Sequence, residues 1–287
     1  MPDVTTPDGR TLHVHEAGAA DGSVVLVQQG TPMSGLLFAP HVRDAEERGI
    51  RLVAYDRPGY GGSTPAPDRS VADAAADVRT VADALGVEKL AVWGISGGGP
   101  HALACAALLA DRVVAVASLA SVAPTDGEGL DWLDGMGELN LEEFAVTRQG
   151  REALAAYLEP KGREDATAEG IVEELQSLLS DADAAVLTGE LGEYLAKNMN
   201  EAVRPGIDGW LDDDLAFDKP WGFSIEDIRV PVQLWHGEQD RFVPFSHGQW
   251  LAARIPGVDA HLSAGDGHMT LLQRRAPEVH AWLLERF

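Results

Sequence analysis

Residues 90–100 decide how the fold of this chain is interpreted, and they read Leu-Ala-Val-Trp-Gly-Ile-Ser-Gly-Gly-Gly-Pro. The stretch begins as a short apolar run, which predicts a buried strand. The Ala/Leu-rich residues 101–110 that follow it predict a helix. The G-x-S-x-G pattern between them is weak evidence by itself. A strand before it and a helix after it form the structural context that the pattern requires.

The glycines of this pattern have a steric explanation. A serine at the apex of so sharp a turn lies in strained backbone geometry, and side chains two residues before and after it would collide. Gly94 and Gly98 remove those side chains. We therefore predict that the Ser96 hydroxyl stands clear of the sheet, with the Gly97 amide pointing into the same space at a helix N-terminus.

Apolar runs of the same kind recur along the chain and alternate with helical segments. The predicted strands cover residues 11–15, 23–27, 50–55, 113–119, 230–235 and 258–262. The predicted helices between and after them cover residues 35–48, 70–85, 246–255 and 277–287. Strands alternating with helices at this spacing predict right-handed βαβ units and a parallel sheet covered on both faces.

Residues 124–224 interrupt this alternation, because the apolar strand runs vanish there and Ala, Leu and acidic residues dominate. We predict helices over residues 141–158, 167–179 and 183–199, and an irregular return path over residues 205–221. The segment leaves the sheet at the carboxyl end of a strand, where parallel sheets bind ligands. We therefore expect a helical cap over a binding site; an ordinary helical bundle with no role in binding is the alternative.

Composition limits the classes of partner. The 287 residues carry 46 acidic and 22 basic side chains, a formal net charge of -24. Such a charge repels nucleic acid and anionic membrane surfaces, and we interpret it as a solvated, aggregation-resistant surface. The single cysteine, Cys105, allows no intramolecular disulfide. The first residues lack the basic and apolar regions of a signal peptide, so we expect a soluble cytoplasmic protein.

Neither a metal nor an organic cofactor is expected. The sequence contains no dinucleotide or P-loop fingerprint and no Cys/His ligand cluster. His13 and His15 share one face of a predicted strand, but no further ligand is apparent near them. We therefore expect both histidines at solvated strand positions.

Three polar loops at predicted strand ends supply the groups that an acyl-transfer site needs. A serine hydroxyl is a weak nucleophile at neutral pH and needs a base, which in turn needs an orienting carboxylate. The candidates occur in the chain order Ser96, Asp240, His268, the order expected with a G-x-S-x-G turn. Asp126 is an alternative acid at the entrance to the insertion. Asp266 lies close to His268 in sequence but need not point at its ring.

The chain resembles serine hydrolases of the α/β-hydrolase superfamily. The motifs that carry the resemblance lie at residues 56–63, 94–98, 236–244 and 267–268. It implies a mainly parallel eight-stranded sheet with the active site at its C-terminal edge. A core domain of residues 1–123 and 225–287 would carry a helical cap of residues 124–224. Ser96 would be the nucleophile, His268 the base and Asp240 the orienting acid.

The resemblance also implies an oxyanion hole formed by the backbone N–H groups of Gly97 and Thr31. Relatives usually carry His-Gly-x-Pro-Gly in the loop that supplies the second donor. Here Gln29 replaces the histidine and Met33 the last glycine. Backbone donation from Thr31 survives these replacements, but the packing of the loop and the polarity of the pocket wall change.

The predicted activity is hydrolysis of a carboxylic ester, a lactone or another small acyl substrate through an acyl-serine. Epoxide hydrolases and haloalkane dehalogenases have an aspartate where Ser96 stands, so both are excluded. Proline iminopeptidases usually carry other motifs at the serine turn and in the oxyanion loop, so peptidase activity is disfavoured. A non-catalytic or very slow ligand-binding protein and a cofactor-free perhydrolase are the alternatives. The physiological substrate and the oligomeric state stay open.

Overall fold

A single eight-stranded sheet with the strand order β1-β2-β4-β3-β5-β6-β7-β8 organises the protein. The computed structural model describes residues 3–163 and 165–287; residues 1 and 2 of the predicted core lie outside the described residues. The strands are β1 Asp3–Thr5, β2 Thr11–Gly18, β3 Ser23–Gln28, β4 Ile50–Tyr55, β5 Leu90–Ile95, β6 Val113–Leu119, β7 Val232–Gly237 and β8 Asp259–Ser263. The β1–β2 and β2–β4 pairs are antiparallel, and the other five pairs are parallel. The predicted mainly parallel eight-stranded sheet is confirmed.

Helices cover this sheet, and their apolar side chains complete its core. The core helices are α1 Ala39–Glu47, α2 Asp73–Ala84, α3 Gly98–Leu108, α10 Phe245–Arg254, α11 His268–Arg274 and α12 Ala276–Leu284. Helix α1 packs against α12, and α2 against α3. Strands β5 and β7 are buried along their whole length. Apolar runs without alternation suit strands of this kind, which are covered on both faces.

The insertion between β6 and β7 is helical, as predicted, but its elements are shorter. Its helices are α4 Glu138–Thr147, α5 Arg151–Lys161, α6 Ala168–Glu174, α7 Asp181–Ala184, α8 Glu190–Val203 and α9 Asp208–Phe217. The helix predicted over residues 141–158 divides at Gly150, and the one over 183–199 divides at Gly189; both glycines have positive φ. Glycine is the residue that adopts this conformation without a steric penalty, so each divides one periodic pattern into two helices.

The prediction of an irregular return path over residues 205–221 is wrong, because helix α9 occupies most of it. Its middle is the run Asp212-Asp213-Asp214, and all three aspartates are buried. A run of acidic residues suggests a solvated segment unless cations from elsewhere neutralise it. Here Arg57 and Arg69 of the core supply that charge. The interpretation of the acidic residues as solvated surface therefore fails for this helix.

Besides α9, the short strand β1 and helix α11, which begins at His268, were not predicted. No helix among residues 3–163 and 165–287 has both the length and the apolar character that crossing a bilayer requires.

Candidate active site

Ser96 occupies a strained turn between β5 and α3. Its φ is 55°, a conformation that is rare for a residue with a side chain. A Cβ on Gly94 would lie 2.2 Å from the Gly98 carbonyl oxygen, and one on Gly98 would lie 2.0 Å from the Gln28 oxygen. The predicted steric reason for the two glycines is confirmed. Backbone strain of this kind is found where a functional side chain must be held in one place.

The two residues expected to form an oxyanion hole lie side by side. A Cβ on Gly97 would lie 2.9 Å from the Cβ of Thr31, and one on Gly30 would lie 3.4 Å from the Cβ of Ser96. Within the described chain, the backbone N–H groups of Thr31 and Gly97 enter no backbone hydrogen bond. Both N–H groups are therefore free to donate to a charge that develops beside Ser96.

His268 and Asp240 form a buried hydrogen-bonded pair. The imidazole Nδ1 lies 2.8 Å from Asp240 Oδ2. The other oxygen of Asp240 accepts the backbone N–H groups of Phe242 and Val243, each at 2.9 Å. The Phe242 ring also stacks on the imidazole, with 4.5 Å between ring centroids. The carboxylate is thus held by its own loop, and the imidazole is held by the carboxylate and by the aromatic ring.

The electrostatic surroundings of His268 favour its imidazolium. Burial alone lowers the pKa of His268, but the adjacent carboxylate of Asp240 and the more distant one of Asp183 outweigh that effect. The pKa of His268 therefore lies above its ordinary value. A base surrounded in this way is stabilised once it has accepted a proton.

The other candidate groups have different partners. Asp266 pairs with Arg275 at 2.7 Å. His236 Nε2 lies 2.9 Å from the Val243 carbonyl oxygen, and His101 Nδ1 lies 2.8 Å from that of Gly97. These contacts agree with the structural roles expected for the two histidines, and with the expectation that Asp266 does not orient His268.

Asp183, which the sequence did not single out, holds the start of the helix that carries His268. Its Oδ2 accepts the backbone N–H of His268 at 3.0 Å, and its Oδ1 accepts those of Met269 at 2.8 Å and Thr270 at 3.0 Å. The carboxylate thus caps three of the unpaired donors at the N-terminus of α11. Asp183 belongs to α7 of the insertion, 85 positions from His268. No local sequence pattern reports a contact of that separation.

Asp213, which was also missed, ties the insertion to the oxyanion loop. Its Oδ2 accepts the hydroxyl of Thr31 at 2.7 Å and that of Tyr60 at 2.9 Å, and it pairs with Arg57. Its Oδ1 pairs with Arg69 at 2.7 Å. Burial by itself opposes ionisation, but the two guanidinium groups hold the pKa of Asp213 far below its usual value. A permanent buried carboxylate therefore fixes the side chain of Thr31.

Gln29, which replaces the usual histidine, and two side chains of the insertion donate to the same carbonyl oxygen. The Gln29 side-chain amide donates to the Leu36 carbonyl oxygen at 2.8 Å. Tyr194 of α8 donates its hydroxyl to the same oxygen at 3.0 Å, and Asn198 donates to it at 3.2 Å. Gln29 and Met33 both line the cavity described next. The loop is therefore tied down by side chains that the usual motif does not contain.

A cavity of about 180 Å³ opens onto Ser96. Ser96, Gly97, Thr31 and His268 all line it. The insertion supplies more than half of the other lining residues, and most of these are apolar, including Phe144, Leu178, Leu195, Met199 and Phe217. The structure therefore brings the predicted nucleophile, base and oxyanion donors to one cavity.

The expectation that no further ligand lies near His13 and His15 is wrong. Asp56 at the end of β4 brings a third donor atom within 4.8 Å of the two imidazoles, and His15 is buried, not solvated. Asp56 Oδ1 contacts His15 Nε2 at 2.8 Å and the Gly35 N–H at 2.6 Å. Its oxygens are thus engaged by protein donors, and the trio holds the chain after β3 in place. The absence of a metal stays a prediction.

Comparison with known proteins identifies the family. Residues 23–274 match the family described as alpha/beta hydrolase fold, so the chain belongs to that family. It is 27% identical to a 2-hydroxy-6-oxononadienedioate/2-hydroxy-6-oxononatrienedioate hydrolase of Cupriavidus pinatubonensis, over 92% of this chain and 88% of the relative. It is also 27% identical to a non-heme chloroperoxidase of Streptomyces lividans, over 97% and 96%.

Solved structures agree on the fold. An esterase from Thermogutta terrifontis superposes with a TM-score of 0.72 at 20% identity, covering 99% of this chain and 98% of the esterase. The family and the relatives support a hydrolase, and they leave its substrate open.

Proposed function

We propose that this protein is a serine hydrolase that cleaves a small carboxylic ester or lactone through an acyl-serine intermediate. The observation that carries the proposal is the convergence of Ser96, the Asp240–His268 pair and the free N–H groups of Thr31 and Gly97 on one cavity. Each of these groups has a separate task in acyl transfer, and the family is one in which that chemistry recurs.

In the first half of the reaction, Ser96 Oγ attacks the substrate carbonyl while His268 Nε2 takes the hydroxyl proton. The carbonyl oxygen becomes an oxyanion that the two backbone N–H groups stabilise. Asp240 keeps the Nδ1–H of the ring oriented and stabilises the imidazolium. When the carbon–oxygen bond of the ester breaks, the imidazolium returns the proton to the departing alcohol and Ser96 retains the acyl group.

In the second half, His268 removes a proton from a water molecule, which attacks the acyl-serine carbonyl. Collapse of the second oxyanion releases the carboxylic acid, and the proton returns to Ser96. The enzyme is regenerated without an oxidant, a reductant or a metal in any step.

We further propose that residues 124–224 act as the cap and set specificity. The support is that most of the apolar cavity wall comes from this segment. Substitution of Leu195 by alanine should change the ranking of esters of different acyl length more than it changes labelling of Ser96 by a small probe. A cytoplasmic location stays a prediction of the sequence.

The nucleophile is tested with a fluorophosphonate probe, which reacts with an activated serine. Wild-type protein should be labelled on the peptide that contains Ser96, and it should hydrolyse p-nitrophenyl esters. Ser96→Ala should lose both properties while its circular dichroism spectrum stays that of the wild type. Equal labelling of the two proteins would exclude Ser96 as the nucleophile.

The chloroperoxidase relative favours a second candidate, perhydrolysis with the same residues. Hydrogen peroxide would replace water in the attack on the acyl-serine, giving a peracid and free Ser96. Incubation with acetate and hydrogen peroxide should then produce peracetic acid, measured by bromination of monochlorodimedone. Ester hydrolysis without peracid formation would leave hydrolysis as the sole activity.

A further inference from the structure

Two carboxyl groups of the insertion meet in the wall of the cavity. Glu143 of α4 and Asp214 of α9 both line it, and the charge of Glu143 acts on Asp214. Burial raises the pKa of both groups, and the charge of Glu143 raises that of Asp214 further, so the pair retains a proton at pH values where isolated carboxyls would lose it.

Asp214 lacks the donors that a buried carboxyl normally has. The residue is 2% exposed, yet no N–H or O–H among the described residues reaches its Oδ2. Glu143 Oε1 accepts only one neutral donor, the indole N–H of Trp210 at 2.9 Å. Buried polar atoms are generally satisfied, so this exception calls for a partner that the described residues do not supply.

The cations near the pair are already engaged. Lys161 lies on the Glu143 side and contacts Glu174 Oε1 at 3.4 Å, and Glu174 is a third carboxylate of the same cavity. Arg69 lies on the Asp214 side and is paired with Asp213 at 2.7 Å. Neither cation forms an ion pair with Glu143 or Asp214 within the described residues, so the pair adds carboxyl groups without a counter-ion to a mostly apolar cavity wall.

We propose that the Glu143–Asp214 pair binds an ammonium group of the substrate, so that the protein prefers esters carrying a basic amine. This inference rests on the ester hydrolase function proposed above. An ammonium donates several hydrogen bonds and can bridge both carboxyl groups, taking the place of the proton that the pair retains. Asp214 lost its hydration when the protein folded, so binding to it incurs little further desolvation on the protein side.

Helix α9 connects the carboxyl pair with the turn that holds Ser96. Asp214 lies three residues, about one helical turn, before Phe217. A Cβ on Gly97 would lie 3.0 Å from Cζ at the tip of the Phe217 ring, so the helix that carries Asp214 also contacts the serine turn. The test below therefore uses two spacer lengths. A substrate with a carboxylate at the same place, such as a dioate, would meet like charge.

The test compares esters that differ only in the terminal group. One set is p-nitrophenyl 6-aminohexanoate, p-nitrophenyl heptanoate and mono-p-nitrophenyl adipate, which end in an ammonium, a methyl and a carboxylate. The shorter pair is p-nitrophenyl 3-aminopropanoate and p-nitrophenyl butanoate. For wild-type protein near neutral pH, kcat/KM for an ammonium ester should exceed that for its neutral isostere by about tenfold or more, the effect expected of a charge-assisted hydrogen bond. The adipate ester should be the poorest of its set.

Asp214→Asn and Glu143→Gln keep the shape of each side chain and remove the charge. In both variants the ratio between ammonium and neutral esters should fall toward one. Glu142→Gln is the matched control, because Glu142 is exposed beside Glu143 and loses the same formal charge. It should keep the wild-type ratio. A ratio near one in the wild type at both chain lengths, or an unchanged ratio in both cavity variants, would overturn the inference.

A second measurement serves if the cavity variants do not fold. Hexylamine should inhibit wild-type hydrolysis of the heptanoate ester competitively, at a concentration about tenfold below that required of 1-hexanol. Equal inhibition by the two compounds would count against the inference. Failure of the proposed function looks different: no ester would be hydrolysed and Ser96 would not be labelled. Binding of hexylamine and 1-hexanol would then be compared by thermal shift, where the same preference is expected.

Discussion

The carboxylate of Asp183 offers a sharp test of how the insertion supports the chemistry. In Asp183→Asn one carboxylate oxygen becomes an amide N–H₂, which cannot accept. If the remaining oxygen keeps Met269 and Thr270, the amide faces the His268 N–H and that buried donor loses its acceptor. Leaving a buried donor without a partner costs about 1–3 kcal/mol, so we expect the free energy of unfolding to fall by that amount.

The effect on activity has a separate cause. The lost bond is made by the backbone of the proposed catalytic histidine itself, so the imidazole shifts relative to Ser96. A displacement of about 1 Å can cost on the order of 100-fold in rate, and we expect kcat/KM to fall by about 10- to 100-fold. Loss of the negative charge also removes one of the influences that raise the pKa of His268. The acidic limb of the pH–kcat/KM profile should therefore move to lower pH.

The assay is hydrolysis of p-nitrophenyl acetate across the pH range in which the variant stays folded, with urea unfolding measured in parallel. Asp181→Asn is the control, because Asp181 lies on the same short helix, is exposed and loses the same charge. It should match the wild type in rate and in the position of the acidic limb. If Asp183→Asn kept the wild-type rate and the same limb, the aspartate would serve only to hold α7 in place.

Three further predictions concern the acid, the buried ion pairs and the buried histidines. Asp240→Asn should reduce kcat on an activated ester by a factor on the order of 10⁴ at most, because the imidazole takes the wrong tautomer. Asp126→Asn should reduce kcat far less. If the two variants ranked in the opposite order, Asp126 would be the orienting acid. Asp213→Asn should lower the free energy of unfolding by about 3–5 kcal/mol, because it leaves buried guanidinium groups without a counter-charge. The control is Asp218→Asn at a partly exposed ion pair, which should lower it by at most about 1 kcal/mol. Equal urea midpoints for the two variants would refute this prediction. Burial lowers the pKa of His101 to about 3, so below about pH 6.5 the unfolded chain binds a proton that the folded protein does not bind, and the free energy of unfolding falls as pH falls. Urea unfolding measured from neutral to mildly acidic pH should show a shallower decline of this free energy for His101→Asn than for the wild type. Identical slopes for the two proteins would contradict the prediction.

The parts of this molecule that the sequence predicts are those with a local cause. Strand β6 was predicted with its observed bounds because a short, nearly continuous apolar run after charged residues is recognisable without knowledge of its partner. The steric role of Gly94 is equally local, since the collision that it avoids is with the Gly98 oxygen of the same turn. The family resemblance supplied the positions of Asp240 and His268, which the structure places 2.8 Å apart.

What the sequence could not predict depends on contacts between distant residues. Helix α9 was missed because the aromatic, proline and glycine residues of 205–221 suggest an irregular path. Its buried aspartates depend on Arg57 and Arg69, about 150 positions earlier. The contact of Asp183 with α11 spans 85 positions. The third donor near His13 and His15 is Asp56, which directly follows the neighbouring strand β4. In each case the chemistry is set by tertiary pairing, which no window of sequence contains.

The attachment of the insertion has a consequence for exchanging parts between members of this family. Asp183 binds the N-terminus of α11, which carries His268, and Asp213 binds the side chain of Thr31 in the oxyanion loop. Both aspartates belong to the insertion, which also lines the cavity. A segment from a relative, grafted in to import a new substrate preference, would leave Arg57 buried without its counter-charge unless it carried an acid at the same place. Under the proposed function, we therefore expect that single substitutions in the cavity wall change the substrate preference more readily than exchange of the whole segment.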